Sequence, residues 1–119
     1  MSNYTKLPFS ASNYGQQILL TATGSASAQP IHTTPVGTSS VDEIWLYAYN
    51  DSTASVLTSI LWGGGSEPNN IVRANIISQA GRTLIVDGKL LQNGLTVYAY
   101  ASALNWVSID GFVNRIQQP

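Results

Sequence analysis

The sequence predicts a single all-β domain, an antiparallel β-sandwich of about eight strands with an extended N-terminal arm. Three observations support this prediction: short runs of alternating apolar and polar residues, turn-forming residues between these runs, and no stretch with apolar residues at helical spacing. A chain of 119 residues is long enough for one hydrophobic core and too short for two. The strand count favours a jelly roll, and an immunoglobulin-like order is also compatible with the pattern.

Residues 1–15 are predicted to form the extended arm, and residues 16–119 the sandwich domain. The arm is rich in Ser and Asn and has no period, but it carries three spaced aromatic residues, Tyr4, Phe9 and Tyr14. These aromatics are candidates for anchoring the arm to a partner surface. A disordered chain terminus is the alternative interpretation.

The predicted strands lie between clusters of Gly, Pro, Asn, Asp and Ser, which interrupt regular structure. They span residues 16–23, 29–34, 42–50, 54–62, 70–78, 82–87, 94–102 and 105–116. The run Asn-Asp-Ser-Thr at 50–53 predicts a hairpin turn, because Asn and Asp tolerate a left-handed backbone and bond their own amides. Residues 63–70 predict a longer flexible connection. The Asn-Gly pair at 93–94 predicts a sharp turn that either closes a hairpin or begins the next strand.

The strand at 42–50 alternates strictly, which places Ile44, Leu46 and Ala48 on one face and Trp45, Tyr47 and Tyr49 on the other. The strand at 94–102 repeats this pattern, with Leu95, Val97, Ala99 and Ala101 opposite Thr96, Tyr98 and Tyr100. Both faces of these strands therefore need cover. The second face is expected to pack against another copy of the chain or another protein.

In the last predicted strand, alternation places Val107, Ile109, Gly111 and Val113 inward and Trp106, Ser108, Asp110 and Phe112 outward. An outward Asp110 between aromatic residues is a candidate partner for an arginine, namely Arg73, Arg82 or Arg115. A solvated aspartate on a sheet edge is the alternative.

Only 9% of the residues are charged, against roughly 25% in an ordinary soluble domain. The formal net charge is −1 and the five Lys and Arg residues are scattered, so the chain has no basic run to pair with a nucleic acid backbone. Weak charge also means little repulsion between copies. The composition therefore favours self-association and argues against nucleic acid as a partner.

The sequence contains no cysteine, which removes disulfides and thiolate chemistry and leaves the redox compartment open. Residues 1–6 lack the basic start and apolar run of a signal peptide, and no apolar window reaches the length of a membrane span. We therefore expect a product made in the cytoplasm that has no membrane partner.

His32 is the single histidine and lies in a short polar segment between two prolines. Because the chain has no cysteine and no second histidine, a metal at this position would have only carboxylate co-ligands, a poor set for a transition metal. We expect a surface or hydrogen-bonded histidine.

The carboxylates do not predict a reactive centre. Asp42 and Glu43 open a predicted strand and Asp51 lies in the following turn, where ordinary edge and turn chemistry accounts for them. A calcium site there would lack the dense Asp, Asn and Gly loop of such sites, and no pair of acids is placed for glycoside hydrolysis.

The glycines at 63–65 are followed by neither a helix nor a lysine, so they do not predict a phosphate loop. We predict no catalytic residue, no cofactor and no metal, and a chain that is not an enzyme.

Three segments resemble small β-sandwich virion proteins of tailed bacteriophages: residues 42–50, residues 57–64 and the closing run 104–116, which contains GFVNRI. The similarity covers roughly residues 40–116 and consists of the residue pattern of the strands, without a catalytic signature. Proteins of this kind are capsid decoration or cement subunits and minor head or tail components. The resemblance implies a structural protein of the virion, assembled in the host cytoplasm. It also implies binding to the major capsid protein and self-association as a homotrimer.

Large aromatic residues dominate the energetics of protein contacts. The candidate interface anchors are therefore Tyr4, Phe9, Tyr14, Trp45, Tyr47, Tyr49, Trp62, Tyr98, Tyr100 and Trp106. Burial within the same subunit is the alternative for the seven aromatics outside the arm.

Two other functions are compatible with the sequence. One is a carbohydrate-binding or receptor-binding module of a tail or spike, in which exposed Trp and Tyr stack on pyranose rings and Asn and Asp bond the hydroxyls. The other is a small hydrolase. A deep pocket containing a carboxylate or histidine with a perturbed pKa would favour the hydrolase.

Overall fold

The computed structural model describes residues 4–64 and 70–117 and confirms the predicted all-β sandwich. Within these residues the strands are β1 Tyr4–Leu7, β2 Ile18–Leu19, β3 Gln29–Thr33, β4 Ser40–Asn50, β5 Val56–Trp62, β6 Ile71–Ile76, β7 Thr83–Leu91, β8 Thr96–Ala101 and β9 Val107–Gln117. A 3-10 turn covers Ser25–Ser27. None of the helical structure described is long and apolar enough to cross a membrane.

The strands form two sheets. Sheet A has the order β1-β9-β4-β7, with β2 also paired to β9, and sheet B has the order β3-β8-β5-β6. All of these pairs are antiparallel. Apart from β1 to β2 and β5 to β6, successive strands lie in different sheets, so the chain passes repeatedly across the sandwich. This is the strand order of a jelly roll, one of the two orders that the sequence left open.

The core lies between the sheets, and the predicted alternation decides which side chains enter it. Ile44, Leu46 and Ala48 of β4 are fully buried, and so are Val97, Ala99 and Ala101 of β8. The intervening aromatic residues of both strands lie on the outer faces and are half-buried. The two-residue period of a strand is sufficient to place these side chains.

The turn predicted at 50–53 exists, but it does not close a hairpin. It carries the chain from β4 in sheet A to β5 in sheet B. The buried Asn50 organises this corner, because its Nδ2 donates to the carbonyl oxygens of Ala54 and Ile76, both at 2.8 Å. Residues 93–94 likewise join β7 to β8 in the other sheet, with φ of 70° and 75°. The prediction of a hairpin at 50–53 was wrong, because the same Asn and Asp turn chemistry is compatible with a hairpin and with a corner between two sheets.

The N-terminal segment is partly built into the sandwich. β1 pairs with β9 from Tyr4 opposite Ile116 to Leu7 opposite Val113, and Phe9 is only 2% exposed. Within the arm predicted for residues 1–15, residues 4–7 are therefore an edge strand and Phe9 is a core residue. Residues 1–3 of that prediction lie outside the described residues.

The largest differences from the predicted strand boundaries are in β2 and β7. β2 is much shorter than the predicted 16–23, and β7 runs beyond the predicted end at 87. The pairing of β7 with β4 contains two register irregularities. One of them lies near Gly88, which has φ of +83° and would bring a Cβ within 2.9 Å of the Trp45 ring. The predicted strand ended just before Gly88. In the structure the strand continues through Gly88, because the missing Cβ leaves room for the Trp45 indole.

Candidate functional site

A buried polar network joins the two sheets. His32 lies on β3 of sheet B, whereas Asp42 and Arg115 are direct cross-strand neighbours on β4 and β9 of sheet A. His32 Nε2 is 2.7 Å from Asp42 Oδ2. Arg115 donates to both carboxylate oxygens of Asp42, from Nε at 2.9 Å and from Nη2 at 3.1 Å. A buried carboxylate needs such donors, because an unpaired charge in the core is strongly unfavourable.

The hydrogen bonds define the state of each member of this network. The backbone N–H of Ser10 donates to His32 Nδ1 at 3.1 Å, so Nε2 carries the ring hydrogen and donates to Asp42. Burial lowers the pKa of His32, although the contact with Asp42 opposes this effect. Burial raises the pKa of Asp42, but the hydrogen bonds from Arg115 and His32 outweigh it, and the pKa lies below its ordinary value. The network therefore pairs a neutral histidine with a carboxylate anion and an arginine cation.

An open depression of about 490 Å³ lies beside this network, lined by residues of the segment 7–14 together with His32 and Arg115. His32 and Ser10, which line it, are both engaged in hydrogen bonds. Both ring nitrogens of His32 are engaged, and the Ser10 hydroxyl accepts a hydrogen bond from the Thr33 N–H at 2.9 Å. The ring therefore has no free nitrogen to act as a general base. The contacts instead fasten the N-terminal segment to β3.

His32 is thus the hydrogen-bonded histidine that was expected, in the core and not on the surface. Asp42 corrects the expectation of ordinary edge chemistry, because β4 begins at Ser40 and Asp42 points inward with no exposed surface. Among the residues that the structure describes, no group of three or more His, Asp or Glu side chains could hold a metal ion.

The outer face of sheet A carries large side chains, with an aromatic pair at its centre. Trp45 of β4 and Phe112 of β9 are opposite each other in register, and their rings stack with centroids 6.0 Å apart and 13° between the planes. The Lys6 ammonium lies 4.3 Å from the centroid of the Phe112 ring. This cation–π contact and the stacking fix the pair on the surface of the sheet.

Polar contacts hold the same region in place. Glu43 Oε1 accepts hydrogen bonds from Trp45 Nε1 and from Asn114 Nδ2, both at 2.9 Å, and these donors lower the pKa of Glu43. Beside them lies a depression of about 310 Å³ lined by Tyr4, Glu43, Asn114 and Ile116. The Asn114 Oδ1 atom is buried without a hydrogen-bond partner among the described residues. The depression therefore combines an apolar rim with a rigid polar floor.

Exposed leucines extend the outer face onto the edge strand β7. Leu84 and Leu90 are 44% and 54% exposed. Next to them, the Arg82 guanidinium lies 4.1 Å from the centroid of the Tyr47 ring and donates from Nε to Asp110 at 3.0 Å. This ion pair confirms the outward position of Asp110 and its pairing with an arginine. We call the outward side chains of this region the aromatic face: Tyr4, Trp45, Tyr47, Leu84, Leu90, Phe112 and Ile116.

The ten predicted anchors fall into three groups. Three are exposed by 58%, 99% and 47%: Tyr4, Tyr14 and Trp106. Five are half-buried on the outer faces of the two sheets: Trp45, Tyr47, Tyr49, Tyr98 and Tyr100. Two belong to the core of their own sandwich, because they are 2% and 6% exposed: Phe9 and Trp62. Burial in the same subunit was the alternative for Trp62, and the structure shows it. For Phe9 it corrects both the anchor and the disordered-terminus interpretations, because the side chain is part of the core.

Sequence reasoning missed several residues of the aromatic face. It placed Phe112 outward but did not select it as an anchor. Leu90 lies beyond the predicted end of its strand, so the period-two pattern was not applied to it. The pairing of Asp42 with Arg115 had no signal in the sequence, because 73 positions separate the two residues and only the strand register brings them together.

The comparisons with known proteins address the fold. A solved chain from Bacillus endospore appendages, described as a novel family of disulfide-linked pili, is similar with a TM-score of 0.50 and 14% sequence identity. The match covers 93% of this chain and 98% of that chain. At this identity it shows the shared β-sandwich fold alone. No family model and no curated protein matches the sequence.

Proposed function

We propose that this chain is a structural, non-enzymatic subunit that acts through protein–protein contacts made by its aromatic face. In its specific form, the proposal is a capsid decoration or cement protein of a tailed phage, which binds between shell subunits and stabilises the head. The observation that carries the proposal is the stacked pair Trp45 and Phe112 on the outer face of sheet A, where both side chains are only half-buried.

The physical properties of the aromatic face suit an interface. Soluble monomers rarely expose large contiguous apolar patches, and aromatic residues are enriched among the residues that dominate binding energy. The Trp45 ring already stacks on Phe112 and donates a hydrogen bond to Glu43. It also packs so closely over Gly88 that a Cβ there would lie 2.9 Å from the ring. A side chain that is ordered before binding loses little conformational entropy when a partner covers it.

The virion form of the proposal is supported by the location of the segments that resemble phage virion proteins. Two of the segments that resemble phage virion proteins, residues 42–50 and 104–116, contain Trp45 and Phe112 respectively. The same segments form the central strands β4 and β9 of sheet A. The partners in this proposal are the major capsid protein and further copies of the chain in a homotrimer, and the low charge content offers little repulsion between copies.

The proposal is tested by placing a charge on each outer face in turn. Leu84→Lys and Leu90→Lys alter the aromatic face, and Leu57→Lys is a matched control on the outer face of sheet B, where Leu57 is 39% exposed. Exposed substitutions of this kind are expected to leave the fold intact. We expect the first two variants to weaken self-association, measured by sedimentation, and binding to assembled shells. Unchanged association in both, or an equal loss in Leu57→Lys, would contradict this use of the face.

The virion location is tested separately by measuring copy number in purified particles with quantitative peptide mass spectrometry. A number comparable to the major shell protein is expected for a decoration protein. A few copies per particle would indicate a tail, neck or spike component, and absence from particles would remove the virion form of the proposal.

A second candidate function is a subunit of a surface appendage, which is favoured by the fold shared with the Bacillus appendage chain. This chain contains no cysteine, so its subunits would be joined without disulfides. Electron microscopy of the concentrated protein provides the test, since filaments would favour an appendage and discrete closed oligomers would favour the decoration protein.

A further inference from the structure

A single exposed indole lies beside a polar loop at the corner where the chain leaves β4. Trp106 precedes β9 and is 47% exposed. Together with Asp51, Thr53, Ser55 and Ser102 it lines an open depression of about 430 Å³. This size falls within the roughly 300–1,000 Å³ typical of small-molecule sites.

The loop that forms one wall is ordered from below by Asn50, which is fully buried. Asn50 Oδ1 accepts hydrogen bonds from the Ser52 N–H at 2.9 Å and from the Ser52 hydroxyl at 2.7 Å. Its Nδ2 donates to the carbonyl oxygens of Ala54 and Ile76. Because a buried side chain bonds the loop at several points, the wall is pre-organised and does not need to be ordered by a ligand.

Hydrogen bonds hold the backbone of this corner and the Asp51 carboxylate in place. The Asp51 N–H donates to the Trp106 carbonyl oxygen at 3.0 Å, and the Tyr49 hydroxyl donates to Asp51 Oδ1 at 3.1 Å. Asn105 has φ of 64° and donates from its N–H to the Leu20 carbonyl oxygen at 3.0 Å. The chain therefore turns sharply just before Trp106, which is among the residues that line the depression.

We infer that this corner, which we call the Trp106 site, binds a neutral saccharide. The apolar C–H face of a pyranose ring would stack on the indole, and its hydroxyls would donate to the Asp51 carboxylate and exchange hydrogen bonds with the hydroxyls of Thr53 and Ser55. Asp51 is the one charged residue among those lining the depression. Its negative charge disfavours sugars that carry a carboxylate or a sulfate.

The Trp106 site does not depend on the function proposed above. It contains none of the residues of the aromatic face, and a saccharide bound there leaves Trp45 and Phe112 uncovered. Loss of saccharide binding and loss of assembly are therefore separate outcomes in separate variants.

The test is binding of the full chain to an array of neutral and acidic glycans, followed by calorimetric titration with the best neutral ligand. Trp106→Ala is expected to weaken binding about tenfold, the upper range for one aromatic stacking contact, and Trp106→Phe is expected to retain part of the affinity. Asp51→Asn should also weaken binding. Tyr14→Ala removes an aromatic side chain that is 99% exposed outside the site and should bind as the parent does.

Three results would overturn the inference: no neutral glycan bound by the parent chain, equal affinity in the Trp106→Ala variant, or preferential binding of acidic glycans. Circular dichroism of each variant establishes that the sandwich is intact. If Trp106→Ala does not fold, the comparison of Trp106→Phe and Asp51→Asn with the parent decides the question, because both keep the shape of the corner.

Discussion

His32 and Asp42 form a 2.7 Å hydrogen bond across the sandwich, between strands that lie in different sheets. Both side chains are buried, and Arg115 and the Ser10 backbone bond the remaining polar atoms. The sheets are therefore joined here by a polar contact whose strength depends on the protonation state of His32 and Asp42. Stability is expected to depend on pH through this contact.

The first prediction is that acid weakens the fold between about pH 7 and pH 5. Burial holds the pKa of His32 below its ordinary value, so below about pH 6.5 the unfolded chain binds a proton that the folded chain does not. Stability is therefore present above this pH and falls as the pH is lowered, by at most about 1.4 kcal/mol per pH unit. Urea unfolding at several pH values measures it.

The control for this prediction is His32→Gln, which removes the single histidine of the chain. The decline between pH 7 and 5 should disappear in this variant, although its stability at neutral pH is lower. A decline of the same size in both proteins would show that His32 is not responsible. A second decline, below about pH 4, is expected in both, because the pKa of Asp42 is also lowered and its stabilising charge is lost only in stronger acid.

The second prediction compares two aspartates that each pair with an arginine. Asp42→Ala breaks a buried network and is expected to cost about 3–5 kcal/mol. Asp110→Ala breaks the pair with Arg82, whose side chain is 52% exposed, and is expected to cost less than about 1 kcal/mol. Chemical denaturation of both variants at neutral pH measures the difference. Similar costs for the two would contradict the role assigned to burial.

The third prediction concerns Gly111, which faces the core between β4 and Phe9. Its φ is +145°, and a Cβ there would overlap the carbonyl oxygen of Trp45 and lie 3.1 Å from the Phe9 ring. Gly111→Ala should lower stability by at least about 3 kcal/mol, from backbone strain and overpacking together. Gly24→Ala is the control, because a Cβ at Gly24 meets nothing within 4 Å. Equal melting temperatures for the two variants would contradict the close approach.

The fourth prediction concerns the N-terminal segment. Deletion of residues 1–7 removes the edge strand β1, whereas deletion of residues 1–9 also removes Phe9 from the core. The longer deletion should cost about 3–5 kcal/mol more, as expected for loss of a buried phenylalanine. Thermal unfolding of both truncated chains gives the comparison. Equal stability would mean that the segment is an independent arm.

The contrast between Ile44 and Asp42 illustrates how far sequence reasoning reached. Both side chains point inward from β4, and the alternation of the strand predicted this for Ile44. Asp42 has the same parity, yet its burial depends on two partners, Arg115 and His32, that lie far away in the chain. A period of two reports the face of a side chain and contains no information about the polar groups opposite it.

The corner at residues 50–53 shows the same limit for connections. Its turn chemistry was visible in the sequence, but whether two strands pair or lie in opposite sheets depends on long-range contacts. In the Trp106 site, Asp51 and Trp106 were each visible as polar and aromatic residues. Their proximity arises from the hydrogen bond between their backbones and from the burial of Asn50.

Local order along the chain determined the all-β class and the inward and outward faces of the long strands, because hydrophobic periodicity and turn residues act over a few positions. Tertiary structure decided the jelly-roll order, the placement of Phe9 in the core, the network of His32, Asp42 and Arg115, and the composition of the aromatic face. Each of these depends on strand register and on contacts between distant residues, which periodicity within a single strand does not encode.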